Sequence, residues 1–196
     1  MRYVFALILG SLITVHSVDA QSFEMDGTEI GFDLAFSASS NGGNAGIGLK
    51  YGLNFGEYLI VGPSVRYERL WFKNVQTSQS GGYNIYGGGA FAHARFFNAL
   101  FVGAEFEMLR SPYGKDQLAG FVTQTGSWAP TMFLGGGFSM EFNEAVRINA
   151  GIMYDVINAQ NSPFQRSYFI QKKTSFGEPA GFLPIIYRIA FFIPLS

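Results

Sequence analysis

Twelve side chains that could do chemistry share one phase of an apolar/polar alternation in this sequence. Besides His93 they comprise five basic and six acidic groups. The set is Asp33, Lys50, Arg66, Glu68, His93, Arg95, Glu105, Glu107, Glu141, Arg147, Asp155 and Arg188. A nearly neutral set of this kind can pair internally, or it can relay protons or ions. Paired buried charges cost far less than isolated ones, which favours a network of ion pairs over a conduction path.

The candidates for catalysis within this set are weak. His93 is the only histidine after residue 20, and we expect it to bond to a carboxylate such as Glu105 on a neighbouring strand. Glu105 and Glu107 would need an open cleft to act as a glycosidase pair. The triple-glycine runs at 87–89 and 135–137 fall within predicted strands, which indicates close packing rather than phosphate binding. The lack of cysteine excludes a thiolate metal site. Since no other group of residues looks catalytic, we predict no catalytic site, no metal site and no cofactor.

Strands must position these side chains, because the alternation has a period of two. From Val146 to Ile157, apolar residues occupy one face and Arg147, Asn149 and Asp155 the other. Eight segments follow this pattern: Thr28–Ala38, Ala45–Phe55, Tyr58–Trp71, Tyr83–Phe96, Leu100–Arg110, Trp128–Phe142, Val146–Ile157 and Gly181–Leu195. Each is about long enough to cross a bilayer when tilted.

The pattern predicts a membrane protein whose apolar side chains face outward and whose charged side chains face inward. Charges are absent from the apolar phase except for Arg69, in a run from Arg69 to Phe72 that loses phase and indicates a bulge or a strand leaving the membrane. A Lys or Arg facing the lipid midplane costs about 2–4 kcal/mol. We therefore predict an all-β fold, a transmembrane up-and-down antiparallel barrel of eight strands. Phe91, Phe133, Met153 and Phe192 should help to fill its lumen.

Connection lengths support the same fold. Short links follow the second, fourth and sixth strands, and long ones follow the third, fifth and seventh, the pattern of periplasmic turns and extracellular loops. The long connection Asn158–Pro179 mixes basic and aromatic residues. It could bind a protein partner in an envelope complex or lipopolysaccharide headgroups, or merely cap the barrel. Its candidate binding residues are Phe164, Arg166, Tyr168, Lys172 and Lys173.

The N-terminus predicts export. Arg2 precedes an apolar run that ends in Val18-Asp19-Ala20, which indicates a signal peptide over residues 1–20 with cleavage before Gln21. Residues 21–196 then form the barrel domain. The net charge of −1 gives no basic footprint for nucleic acid.

The signal peptide, the eight alternating strands and the sorted loops resemble the small outer-membrane barrels of the OmpX and OmpA-barrel type. Gln21 and the richness in Gly and Tyr also resemble barrels of Bacteroidetes-type bacteria. The terminal Phe191–Ser196 departs from the usual final aromatic residue. The resemblance implies an outer-membrane location in contact with lipid and lipopolysaccharide.

Three functions fit this resemblance. The first is a non-enzymatic structural, adhesive or accessory barrel that acts through its extracellular loops around a filled, salt-bridged lumen. The second is an OmpW-like passive channel for small or hydrophobic solutes. The third is an outer-membrane lipid-modifying enzyme similar to the lipid A palmitoyltransferase, but His93 is expected near the periplasmic turn at Asn98, the wrong end for outer-leaflet chemistry.

Overall fold

The computed structural model describes residues 25–39, 42–73, 80–113, 122–142, 145–173 and 175–195. The predicted signal peptide and its cleavage site lie outside these ranges. Among the described residues, no helix has both the length and the apolar character needed to cross a membrane.

The predicted barrel is confirmed. Its strands, in the described part of the chain, are β1 (Met25–Ser39), β2 (Gly42–Phe55), β3 (Leu59–Lys73), β4 (Ser80–Phe96), β5 (Leu100–Tyr113), β6 (Val122–Phe142), β7 (Val146–Asp155) and β10 (Ile185–Leu195). Each is antiparallel to its neighbours, and β10 pairs with both β7 and β1 to close the sheet. Short turns at 56–58 and 97–99, together with the short connection between β6 and β7, define one end, called here the short-turn end.

Alternation sorts the side chains between the two faces of the wall. On β7, Met153 is fully enclosed, while Ile152 and Tyr154 are about half exposed on the outside. Phe133 and Phe192 are likewise enclosed in the interior. Because the exterior is apolar and the interior charged, the polarity is the reverse of that in a water-soluble barrel.

Several strands run further than the sequence predicts. β5 continues past the predicted end at Arg110 to Tyr113, and β6 begins at Val122, before the predicted start at Trp128. The run from Arg69 to Phe72 forms no bulge, since β3 and β4 stay in register as far as Lys73 opposite Ser80. The alternative, that the strand leaves the membrane here, stays a prediction. Arg69 points outward and donates to Asn84 Oδ1 at 2.8 Å.

The predicted final strand from Gly181 is also wrong at its start. Gly181 belongs to β9 (Pro179–Leu183), which pairs with β8 (Ile170–Lys173) as a separate hairpin, and Pro184 separates β9 from β10. Between β7 and β8 the chain forms a 3-10 helix, Pro163–Ser167, capped by the Ser162 hydroxyl. The long connection therefore has structure of its own, and residues 158–169 are called here the inserted segment.

The seam between the first and last strands is short. Its ladder runs from Thr28 opposite Leu195 to Asp33 opposite Ala190. Beyond Asp33, β1 stays paired with β2 as far as Ser39 opposite Gly42, and β10 stays paired with β7 as far as Ile185 opposite Tyr154.

Candidate functional site in the barrel lumen

Asp33 is the hub of the lumen. It projects inward from β1 and is 1% exposed. Its carboxylate lies 3.0 Å from Lys50 Nζ, 3.1 Å from Arg66 Nη2 and 3.3 Å from Arg188 Nη1. Three cations from three other strands therefore converge on one acidic side chain.

Two glutamates on β5 complete this layer. Glu105 lies 2.6 Å from Lys50 Nζ and 3.2 Å from Arg188 Nη2. Glu107 accepts from Arg66 Nε, the shorter contact being 2.9 Å. Three acids thus meet three bases, all buried. We call Asp33, Lys50, Arg66, Glu105, Glu107 and Arg188 the central ion cluster, and its formal charge is zero.

His93 touches the edge of the central ion cluster. Its Nε2 lies 2.9 Å from Glu105 Oε1, on the neighbouring strand. Rings of Phe91, Phe101 and Phe192 surround the imidazole, with centroids 5.2–5.9 Å away. Gly103 sits opposite His93, where a Cβ would come within 2.5 Å of the ring. The imidazole is 1% exposed, so no substrate can reach it in this structure.

A second ion pair closes the lumen nearer the short-turn end. Arg95 donates to both oxygens of Glu29 at 2.8 Å, and Asn54 donates to the same carboxylate at 3.0 Å. The Arg95 guanidinium also lies 5.0 Å from the centre of the Phe192 ring. Sequence reasoning left Glu29 out of the luminal set, although it shares the phase of Asp33 and is only 6% exposed.

Other predicted lumen residues lie at the two ends. Glu141 and Arg147 pair at the short-turn rim, where Glu141 is exposed to solvent and Arg147 also donates to Asn98 Oδ1. Asp155 is completely buried near the opposite end, but it holds backbone rather than a cation: its Oδ1 accepts from the N–H groups of Ile157 and Asn158 at 3.2 and 3.0 Å. Each of these residues lies close to one end of the barrel because it lies close to one end of its strand.

Glu68 stands apart from the network. It is buried on β3, and its hydrogen-bond partner among the described residues is Asn44. No cation in the described part of the chain forms an ion pair with it.

The inserted segment folds down into the lumen at the end opposite the short turns. Phe164 packs edge-on against Phe133 with ring centroids 4.9 Å apart. Arg66 and Arg188 lie 5.6 and 5.8 Å from the centre of the Phe164 ring. Phe164 and Tyr168 are each 7% exposed, so they are not on the loop surface where the sequence suggested partner binding. A buried aromatic side chain here gains contacts that an exposed loop could not provide.

Lys172 and Lys173 do lie on the surface, in β8. Arg166 belongs to the 3-10 helix, but its side chain lies outside the described set. The predicted loop candidates are therefore divided between the barrel interior and the exposed hairpin.

Tyr168 fastens the inserted segment to the wall. Its hydroxyl donates to Asp155 Oδ2 at 3.0 Å. Burial raises the pKa of the Tyr168 phenol above its usual range, and the Asp155 carboxylate adds to this. The neutral phenol is therefore the form that holds the segment in place.

Replacing Tyr168 by phenylalanine should lower the free energy of unfolding by about 1.5–3 kcal/mol, the contribution of a hydrogen bond to a charged acceptor. Since the folded-state pKa is raised, this contribution is complete below the unfolded-state pKa of about 10 and is lost as pH rises above it. Urea unfolding of both proteins at pH 8 and above pH 10 measures this. If the difference in free energy of unfolding between the two proteins stayed constant over that pH range, the role assigned to the phenol would be contradicted.

The chemistry available in the lumen is that of a sealed polar core. No group of three or more His, Cys, Asp or Glu side chains in the described ranges is arranged to hold a metal ion. The titratable groups of the central ion cluster bond to one another. Such an arrangement can hold neighbouring strands in register.

Eight closed strands, an apolar exterior and a charged, filled interior define the class of small transmembrane β-barrels. The sequence matches no protein-family model and no curated protein. Among solved structures, the chain is similar to the outer membrane protein Ail of Yersinia pestis, determined in a phospholipid bilayer nanodisc. The match has 14% sequence identity and a TM-score of 0.46, and it covers 88% of this chain and 100% of that one.

Proposed function

We propose that this protein is an integral outer-membrane barrel that acts as a structural, adhesive or accessory-subunit protein through its exposed loops. The observation that carries the proposal is the occlusion of the lumen at three successive levels. The Glu29–Arg95 pair and Phe192 lie nearest the short turns, the central ion cluster lies above them, and Phe164 lies above the cluster. A barrel whose axis is filled in this way acts through contacts at its outer surfaces rather than by passing solutes along its axis.

The location and orientation are part of the same proposal. Residues 1–20 would direct export and be removed. The short-turn end would face the periplasm, and the β8–β9 hairpin would face outward. Lipid and lipopolysaccharide would surround the barrel, with no contact to nucleic acid.

The hairpin supports a role in contacting partners. Lys172 and Lys173 are exposed on β8, Phe176 at the turn is 92% exposed, and Phe182 on β9 is 50% exposed. Cationic and aromatic groups side by side suit anionic headgroups of lipopolysaccharide or an acidic protein surface. A protein partner in an envelope complex would meet this hairpin first.

Enclosure of His93 supports a non-enzymatic role over lipid modification. Acyl transfer needs a general base within hydrogen-bond reach of its substrate. His93 instead lies beneath three aromatic rings, bonded to Glu105.

Single-channel recording in planar bilayers tests the proposal. The full barrel should give no discrete conductance steps, because balanced charges and aromatic rings fill its axis. The double variant Glu29→Ala/Arg95→Ala provides the comparison. It removes both members of one ion pair and so empties one of the three levels without leaving an unpaired charge. Ala190 lies in the interior, so Ala190→Phe would fill the lumen further. If the unaltered protein gave discrete conductance steps and this variant abolished them, the passive channel would be established instead.

A further inference from the structure

The barrel wall is open along part of its closing seam. If the β1–β10 register continued beyond Asp33, Leu34 would lie opposite Ile189 and Phe36 opposite Tyr187. In the described residues no ladder pair joins these positions, although β1 remains paired with β2 and β10 with β7. The seam is therefore a place where another molecule can be accommodated.

A cavity of about 720 Å³ lies at this opening. Its lining includes Leu34 and Tyr187 from the outer face of the barrel, together with Arg66, Glu68 and Arg188 from the inner face. A cavity lined by both faces passes through the wall. Its volume falls within the roughly 300–1,000 Å³ of small-molecule sites. We call this cavity the seam pocket.

Small residues leave a path from the seam to Glu68. Ala35, which lines the seam pocket, would face Arg188 across the opening, and on its other side it pairs with Gly46. Gly46 in turn pairs with Glu68, and a Cβ on Gly46 would lie only 2.8 Å from the Cβ of Glu68. At this level the route between the opening and the carboxylate of Glu68 crosses no large side chain of β1 or β2.

The inner end of the seam pocket carries an unbalanced negative charge. Arg66 and Arg188 already hold Asp33, Glu107 and Glu105 within the neutral central ion cluster. Within the described ranges, the partner of Glu68 is the Asn44 amide alone. A buried carboxylate without a cation is costly, and a bound cation would relieve that cost.

We propose that the seam pocket binds a membrane amphiphile with one apolar chain and a cationic, ammonium-type head group. The molecule enters sideways from the bilayer. Its chain lies between the edges formed by Leu34 and Phe36 on β1 and by Tyr187 and Ile189 on β10, and its ammonium group bonds to Glu68. A cationic head group is favoured because Glu68 has no cation among the described residues, whereas Arg66 and Arg188 each lie within 3.3 Å of a carboxylate. This site is independent of the axial occlusion on which the proposed function rests.

Trp71 lines the seam pocket and provides a direct reporter. The chain has two tryptophans, so Trp128→Phe leaves Trp71 as the sole emitter. In nanodiscs of uncharged lipid, dodecylammonium should change the Trp71 fluorescence saturably. Dodecanol and dodecanoate, which carry the same chain, should bind at least about tenfold more weakly, the difference made by one charge-assisted bond.

Two variants in the Trp128→Phe background locate the site. Glu68→Gln should weaken dodecylammonium binding about tenfold and remove the preference over dodecanol. Ala35→Phe should block binding, whereas Ala45→Phe, on the adjacent strand and outside the pocket lining, should leave it unchanged. If Ala35→Phe fails to fold, Glu68→Gln alone still tests the proposal. Equal affinity for the cationic and anionic probes, or an unchanged preference in Glu68→Gln, would overturn it, whatever the outcome of the conductance experiment.

Discussion

Replacing Asp33 by asparagine is expected to lower the free energy of unfolding by about 3–5 kcal/mol, the cost of removing one partner from a buried ion pair. The change alters the shape of the side chain little. It leaves Lys50, Arg66 and Arg188 facing two carboxylates instead of three. The central ion cluster then carries an uncompensated positive charge among buried side chains. Urea unfolding of the barrel in lipid vesicles measures the loss.

Two controls separate charge balance from other effects. Asp26→Asn makes the same chemical change at an exposed position of β1 and should alter stability by no more than about 0.5 kcal/mol. Asp33→Asn/Lys50→Met restores neutrality and should regain most of the lost stability. If the double variant is as unstable as Asp33→Asn, the geometry of the hydrogen bonds outweighs charge balance in the central ion cluster.

Replacing Phe164 by alanine should release the inserted segment from the lumen. The substitution removes the contact with Phe133 and the two arginine contacts to the ring face. Burying a phenylalanine in a core contributes about 3–5 kcal/mol. We expect backbone amides of residues 161–168 to exchange hydrogen about a hundredfold faster or more, while the amides of the barrel strands change little.

Phe176→Ala is the matched control, because Phe176 belongs to the same long connection but is almost fully exposed. It should leave exchange in the inserted segment unchanged. If the inserted segment were equally protected from hydrogen exchange in Phe164→Ala and in the unaltered protein, backbone hydrogen bonds would hold it without its aromatic anchor. The bond from Ser162 N–H to the Ala159 carbonyl is one of these.

Periodicity was enough to predict the barrel and the face of the wall on which most strand residues lie. Met153 and Phe192 were placed inside by phase alone, and both are fully enclosed. The reason is physical: charges are excluded from the lipid face, so each strand carries a strong two-residue signal. Glu29 was within reach of the same reasoning, since the alternation in β1 extends back to include it.

Other features could not be predicted from a two-residue period. Phe164 and Tyr168 look like exposed loop aromatics in the sequence, because nothing local shows that a loop folds back into a lumen. The level of each charge along the axis depends on the relative shift of neighbouring strands, which decides that Glu141 meets water while Glu105 does not. Likewise, alternation places Leu34 and Ile189 on the outer face but says nothing about whether β1 and β10 pair there.

The short β1–β10 ladder also bears on the order in which the barrel assembles and comes apart. The other ladders of the barrel join strands that follow one another around the sheet in sequence order, whereas this one joins the two ends of the described chain. Its formation closes the largest loop and so carries the largest entropic barrier. The cylinder should therefore close last at Thr28–Asp33, starting from the short-turn end. Under mechanical load or in denaturant, the same seam should be the first part of the wall to separate.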